Sequence, residues 1–292
     1  MPDAPHIALA TCRELPDWEV DDTPFHEALR ARGARIAHPV WDDPEVDWSA
    51  FDACLIRTTW DYADQRDTFV TWARHVEGST RLFNPAEVVA WNTDKAYLFE
   101  LEDAGIPIAP TIRLPRGESV DIAERVEALG WERAFLKPRV GATSRGTLRF
   151  DANPSGFAAA RAHIDRWIEE EELLLQPYLE AVESHGEVSL IVIDGEITHA
   201  VRKTPVPGDY RVQDDFGATD GPYEPSDLER EIALKTAAHR AGLLYARVDF
   251  LETEPGRPVV NELEVVEPSL FFRHAPGTAS RLADALLRAI CG

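Results

Sequence analysis

Asp249, Glu262 and Glu264 are the residues of this chain whose types and spacing best fit chemistry. The segment Arg247 to Leu251 reads as an apolar strand ending in a carboxylate. Glu254-Pro255-Gly256-Arg257-Pro258 reads as a turn, and Val259 to Glu264 as the returning strand. Side chains alternate along a strand, so Glu262 and Glu264 share a face and Asp249 can lie across from them. Three like charges on an apolar hairpin repel, and burying them unpaired is costly. A hard divalent cation such as Mg²⁺ relieves that cost and bridges to phosphates. The other reading of the same residues is a solvated edge hairpin with its acids turned outward.

Lysine usage points the same way. The chain has 26 arginines and four lysines: Lys95, Lys137, Lys203 and Lys235. A retained Lys marks places where a compact ammonium is wanted and a planar guanidinium does not fit. Lys137 ends the apolar run Ala134 to Pro138, just before the small-residue loop Gly141-Ala142-Thr143-Ser144-Arg145-Gly146-Thr147. A strand-borne Lys beside such backbone donors is a way to hold nucleotide phosphates. Lys203 ends a strand beside Arg202, and Lys95 follows Asn92-Thr93-Asp94, which reads as a helix N-cap. Lys235 lies on the polar phase of a helix and reads as a surface charge. Four leftovers of a biased composition remain the bland alternative.

These residues need elements to hold them. Strands at His6–Thr11, Arg35–His38 and Ala53–Thr58 alternate with helices at 21–33 and 68–76, which predicts a parallel sheet with helices on its faces over residues 1–107. Ligands bind at the C-terminal strand ends of such sheets. Thr11 and the run Arg57-Thr58-Thr59-Trp60-Asp61-Tyr62 occupy those ends. Arg57 is a candidate for a substrate carboxylate or for a salt bridge to Asp61 or Asp64; Trp60 either packs or stacks on ligand. A smaller middle part, 108–178, carries strands at 133–138 and 147–150 around the small-residue loop, with helices at 121–129 and 156–170. Its last strand, 172–179, crosses to the next part. Pro177 has no N–H, so Gln176-Pro177-Tyr178 is either a simple crossover or a segment whose backbone can read an adenine edge. The final part, 179–292, holds strands Glu187–Ile193 and 197–203 joined by the Asp194-Gly195 hairpin signal. A helix at 225–241, the acidic hairpin and a closing helix at 279–290 follow.

Bulk properties exclude some classes. At 292 residues the chain can build two or three cores. A net charge of −22 argues against nucleic acid or an anionic membrane as partner. Three scattered cysteines show no metal or redox spacing, which predicts a reducing, cytoplasmic setting. No basic-plus-apolar leader opens the sequence, and no apolar run approaches the ~20 residues that span a bilayer.

From about Asn84 onward the ordered set of motifs resembles the ATP-grasp superfamily. The set is Thr93-Asp94-Lys95, Ala104-Gly105-Ile106-Pro107, Phe135 to Pro138, the small-residue loop, Leu175 to Leu179, Glu187, Arg202-Lys203, Gly208 to Arg211, and Asp249 with Glu262-x-Glu264. Within the superfamily it is most similar to the ribosomal S6 modification (RimK) and glutathione synthetase branch. Val40 to Pro44 and Arg57 to Tyr62 also resemble the group of cycloserine-forming synthetases. The resemblance implies an α/β (α+β) ATP-grasp fold: a parallel-sheet subdomain, then two α+β subdomains that clamp ATP. Lys95 and Lys137 would contact phosphates, with Gly141, Ser144 and Gly146 in the covering loop. Backbone of Gln176, Tyr178 and Leu179 would read adenine, and Glu183 or Glu187 would take the ribose. Asp249, Glu262 and Glu264 would hold two Mg²⁺ (or Mn²⁺) ions, and Arg202, Lys203 and Arg211 would face the γ-phosphate. Relatives usually carry Glu-x-Asn where this chain has Glu-x-Glu; Asn261, on strict alternation, points to the opposite face.

The chemistry implied is ADP-forming ligation. A small-molecule carboxylate is activated as an acyl phosphate and attacked by an amine. The substrate would lie against Thr11, Arg57, Thr58, Trp60, Ser269 and Arg273, in a homodimer or homotetramer. ATP-dependent cyclisation of one amino-acid derivative and a nucleotide-binding module without turnover are the competing readings.

Overall fold

The structure, a computed structural model, describes residues 4–15, 20–141, 145–212 and 216–291. The described residues form three sheets. In the first part, β1 (His6–Thr11), α1 (Thr23–Ala31), β2 (Arg35–Ala37), β3 (Ala53–Thr58), α2 (Arg66–Ser79) and β4 (Arg81–Phe83) alternate. Their sheet is parallel throughout, in the order β2-β1-β3-β4. All six residues of β3 are buried, as expected of a strand covered on both faces. Helices α3 (Ala86–Asn92) and α4 (Tyr97–Asp103) lead out of this part. The Asp94 carboxylate accepts from the Ala96 N–H at 2.9 Å, so Lys95 lies in the turn before α4 and not in its first turn.

The middle sheet has the order β5-β8-β6-β7, built from β5 (Ile112–Leu114), β6 (Arg133–Pro138), β7 (Leu148–Asp151) and β8 (Leu173–Pro177), all antiparallel. Helices α5 (Ile122–Ala128) and α6 (Pro154–Trp167) pack on it. Asp121 caps α5 through the Ala123 and Glu124 N–H groups, and Asn153 with Pro154 starts α6, both common N-terminal devices.

After the short α7 (Ala181–Ser184), the last sheet joins β9 (Glu187–Ile193), β10 (Glu196–Thr204), β11 (Thr219–Pro222), β12 (Tyr245–Glu254) and β13 (Arg257–Glu264) in the order β11-β10-β9-β12-β13. Asp194 and Gly195 both adopt positive φ, which closes the β9–β10 hairpin in the twist that two-residue turns favour. Helix α8 (Asp227–Ala237) begins at a Ser226–Glu229 capping box, two residues beyond Pro225, and α9 (Gly277–Cys291) closes the chain. Strand β9 is buried at every position because it is sandwiched. Ile191 and Ile193 pack with β1 and α9, while Val188, Leu190 and Val192 pack with α4 and α8. Among the described residues no helix is long and apolar enough to cross a membrane.

The acidic hairpin is fixed from outside its own sheet. Strand β13 is an edge, and its exposed backbone groups are taken up one by one. The Val260 N–H donates to the Pro107 carbonyl and its carbonyl accepts from the Ala109 N–H. The Leu263 N–H donates to the Tyr97 hydroxyl, and Asn92 bridges the Leu263 carbonyl and the Val265 N–H. Buried Asn84 donates to the Tyr245 and Val265 carbonyls and accepts from the Leu244 N–H. Each such bond adds about 1 kcal/mol net, but leaving a buried partner unmade costs more.

Candidate active site

Asp249 pairs directly with Glu262 in the hairpin register, so the carboxylates lie side by side as alternation requires. They line a cavity of ≈ 370 Å³ between the middle and last sheets. Five carboxylates reach it: Glu187, Asp249, Glu262, Glu264 and Glu267. Seven cations line it as well, and four of them, Lys95, Lys137, Lys203 and Arg247, stand closest among these acids, with Arg145, Arg211 and Arg273 farther along the wall. Lys95 donates to the Gly141 carbonyl at 2.5 Å and lies 3.5 Å from Glu262; Lys137 lies 3.7 Å from the same oxygen. Burial and then its neighbour Lys95 pull the Lys137 ammonium down, against the attraction of Glu262. Lys203 contacts Glu187 and lies 3.6 Å from Asp249. Burial disfavours its charge, yet Asp249 and Glu187 more than offset that and keep it protonated.

Arg247 is the residue the sequence reading left without a role. It stands two positions before Asp249 on the same face, bonds that carboxylate at 2.9 Å through both Nε and Nη2, and also contacts Glu264. Burial alone would raise the Asp249 carboxyl; Arg247, Lys203 and the Ser189 hydroxyl bring it down to about 2. Glu264 has less help. Burial, only partly opposed by Arg247, together with Asp249 and Glu262 pushes it up to about 7. Glu267, a second residue the sequence reading missed, is driven up to about 8 by burial and then by Glu264. The clustered carboxyls repel one another, which a cation would relieve, and their hard oxygen donors suit Mg²⁺. Arg247 and Lys203 stand among those oxygens, and among the described residues no three His, Cys, Asp or Glu side chains already converge as a metal cage. Asp249, Glu262 and Glu264 fit the ion in kind; its phosphate partner would have to supply the remaining ligands.

Asn261 corrects the expectation from strict alternation. Phe250 pairs with Val260 and Asp249 with Glu262, so Asn261 is the extra residue of a β-bulge. A bulge re-aims a side chain: Asn261 lines the cavity with Glu262 and donates to Glu187 at 2.8 Å.

The other end of the cavity is apolar. Phe135, Tyr178, Val182, Tyr210 and Leu251 form a slot, with Phe135 and Tyr210 edge to face at 5.3 Å. Gln176, Tyr178 and Leu179 of the crossover line it too. The Tyr178 N–H is already committed to the Arg133 carbonyl, and the Leu179 N–H has no partner among the described residues. Arg211 reaches the cavity from a loop, stacked on Phe216 at 3.8 Å and paired with Asp209. Trp60, Ser269 and Arg273 line the opposite wall, where Arg273 pairs with Asp220.

Several expected site residues stand elsewhere. Arg57 is sealed against Asp22 by two 2.8 Å bonds and donates to the Pro268 carbonyl at 3.1 Å; it pairs with neither Asp61 nor Asp64 and does not reach the cavity. Thr11 and Thr58 are buried and bonded to each other. Arg202 lies on the opposite face of β10 from Lys203, over the Tyr223 ring at 4.4 Å, because adjacent strand residues cannot share a face. Glu183 does not line the cavity; it pairs with Arg149 and the Tyr178 hydroxyl, while Glu187 does line it. Gly146 serves the turn: it has φ +65, and a Cβ there would meet Pro138 at 2.7 Å. Ser144 lies outside the described residues. The two soft motif segments near the N-terminus do meet, through a 2.7 Å bond from Trp41 to Asp61.

Against this geometry the comparisons with known proteins can be set. Residues 7–84 match the family model for the N-terminal domain of D-cycloserine synthetase DcsG, and residues 157–268 match the RimK-like ATP-grasp domain. The chain is 32% identical to the cycloserine biosynthesis protein DcsG of Streptomyces lavendulae, over 96% of this chain and 97% of that one. A probable alpha-L-glutamate ligase of Shewanella halifaxensis is 23% identical over 65% of this chain and 40% of its own length. The crystal structure of D-cycloserine synthetase DcsG superposes with a TM-score of 0.85 at 29% identity, covering 98% of this chain and 99% of that one. A D-alanine–D-alanine ligase of Bacillus anthracis superposes at 0.69 with 18% identity, over 99% and 98% of the two chains, a likeness of fold alone.

Proposed function

Because this chain belongs to the ATP-grasp ligases, in the family of the cycloserine biosynthesis protein DcsG, we propose that it activates a small-molecule carboxylate with ATP and passes the acyl group to an amine, forming ADP and phosphate. The family uses ATP with Mg²⁺, and the observation that carries the reading is the layout of one cavity. An aromatic slot suited to a base lies at one end, and two lysines converge on Glu262 at the other. The segments 108–178 and 179–292 then act as the two halves that close on the nucleotide. In the slot, Phe135, Tyr178 and Tyr210 hold the base. Lys95 and Lys137 would turn from Glu262 to phosphate oxygens. Asp249, Glu262 and Glu264 would then hold Mg²⁺, which would supply charge neutralisation for the phosphates. Lys203, Arg247 and Arg211 border the space where the γ-phosphoryl group meets the substrate carboxylate. The carboxylate oxygen attacks phosphorus and ADP leaves; the amine then attacks the acyl carbon and phosphate leaves. No protein nucleophile is required, so positioning and electrostatics carry the rate.

The full-length similarity to a cycloserine biosynthesis protein favours one narrower version: the carboxylate and the nucleophile belong to a single amino-acid derivative, and the product is a ring formed in antibiotic biosynthesis. Such an enzyme would act on small molecules in the cytoplasm.

ADP and phosphate release should be measured with Mg·ATP across a panel of small amino acids, their derivatives and amines, for the wild type and Glu262→Gln. Release that depends on an added acid and falls about 10²-fold or more in the variant is expected. Mass analysis of the product separates ligation from cyclisation. Tight ATP binding with no substrate-dependent release from any mixture would move the protein to the class of binding modules.

A further inference from the structure

One carboxyl in the cavity has no ion-pair partner among the described residues. Glu187 has Lys203, Asp249 has Arg247 and Lys203, Glu262 has Lys95 and Lys137, and Glu264 has Arg247. Glu267 has none. Its side chain lines the cavity and the residue is only 9% exposed. Among the described residues no Lys, Arg or His lies within ion-pairing distance of it; Arg247 and Lys95 act on it only from farther away and do not offset its burial. Ionising a buried carboxyl without a cation is costly, which is why Glu267 is pushed up, and a ligand that brings a positive charge removes that cost.

The surroundings say what kind of cation fits. The Trp60 indole N–H is fixed on the Glu267 carbonyl at 3.3 Å, and Trp60 and Tyr62 line the same cavity. Among the charged groups acting on the buried Tyr62 phenol, Glu267 is the strongest. A cavity wall that carries a carboxyl and aromatic side chains suits an ammonium, which can gain from both charge and ring faces. Glu267 lies beyond the end of β13, outside the Asp249–Glu262 register that brings the candidate metal carboxylates side by side.

We propose that Glu267 receives the protonated amine of the small-molecule substrate, so that the enzyme selects amine-bearing acids over their hydroxy counterparts. This rests on the reading of the cavity as the ligase site, but it concerns a wall that the phosphoryl chemistry does not use.

The test is equilibrium binding to enzyme loaded with Mg²⁺ and a non-hydrolysable ATP analogue. The probes are D-cycloserine, D-serine and L-serine, each beside the same molecule with hydroxyl in place of the amine. At least one amine probe should bind the wild type about tenfold more tightly than its hydroxy partner. Glu267→Gln should erase that preference and Glu267→Asp recover part of it. All three proteins should keep the same affinity for the analogue, which also reports that they are folded. An amine preference absent from the wild type, or intact in Glu267→Gln, overturns the assignment. So does a loss of Mn²⁺ affinity in Glu267→Gln when Mn²⁺ replaces Mg²⁺ in the nucleotide complex, which would make the residue a metal ligand. These outcomes are read by binding, whereas the ligase reading fails on missing ADP release, so the two failures are separable.

Discussion

Two buried arginines, Arg57 and Arg247, present the same chemistry in two settings. Each sits on a strand of a sheet interior and grips an aspartate through two nitrogens. Arg57 meets one carboxylate, Asp22, and a carbonyl, with both side chains 3% exposed or less. Arg247 meets two carboxylates in a group where acids outnumber bases, and it opens onto the cavity. The first set is balanced in charge and closed off from the cavity, so a ligand there has no charge to answer. The second is unbalanced and accessible, and a bound cation or phosphate changes its energy. A buried arginine near a strand end is therefore not a functional signal by itself; the ratio of charges and access to a cavity make it one.

The largest effect that separates the two settings is on stability. Arg57→Met leaves Asp22 buried and uncompensated, a loss of about 3–5 kcal/mol. That is a fall of roughly 10 °C in melting temperature for a chain of this size. Adding Asp22→Asn should recover part of it, because the stranded charge is then gone. The ATP affinity of the folded fraction should not change. Arg57→Met with an unaltered melting temperature and a lost response to substrate would return Arg57 to the substrate site.

The pH dependence sharpens the contrast at intermediate size. Glu264 and Glu267 have folded values of about 7 and about 8 against 4.5 for the free group. The folded state therefore holds protons that the unfolded chain has lost, and stability falls as pH rises from about 4.5 to 8. Asp249, held down to about 2, works the other way: its contribution is present above 3.8 and is lost as pH falls toward 2. Glu264 keeps 30% of its side chain exposed, so solvent screening makes its share smaller than that of Glu267. Melting temperature of the ligand-free protein should decline between pH 5 and 8, with each group adding at most about 1.4 kcal/mol per pH unit. Glu267→Gln should flatten that decline, and so should Mg·ATP. An unchanged slope in the variant would mean that Glu267 is ionised throughout.

How much of this was legible in the sequence follows from how local each signal is. The hairpin and its facing carboxylates were readable because a Pro/Gly turn and two-residue alternation are short-range features. Lys137 and Lys203 were readable at strand ends for the same reason. The Arg57 partner was not, because Asp22 is 35 residues away and meets it only through the fold. Arg202 beside Lys203 could have been excluded by alternation alone. Glu267 lies beyond the last strand, where no periodicity assigns a face, and the three- and four-residue strands β4, β5 and β11 are too short to carry one. Asn261 was misplaced because a bulge breaks the period without any mark in its residue types.

That bulge supplies the smallest prediction. Asn261 is the donor to one oxygen of Glu187, whose other oxygen faces Lys203. Asn261→Leu keeps the side-chain volume close and the bulge intact but leaves a buried acceptor unmet, about 1–3 kcal/mol. Lys203 still offsets the charge of Glu187, so this loss should fall below that of Arg57→Met, where the charge is abandoned altogether. ATP affinity should change by no more than a few-fold, since Lys95 and Lys137 are untouched. Chemical denaturation and nucleotide binding on the same sample measure both. A loss above that range, or an enzyme that no longer binds Mg·ATP, would mean that the bulge aims Asn261 at the ligand itself.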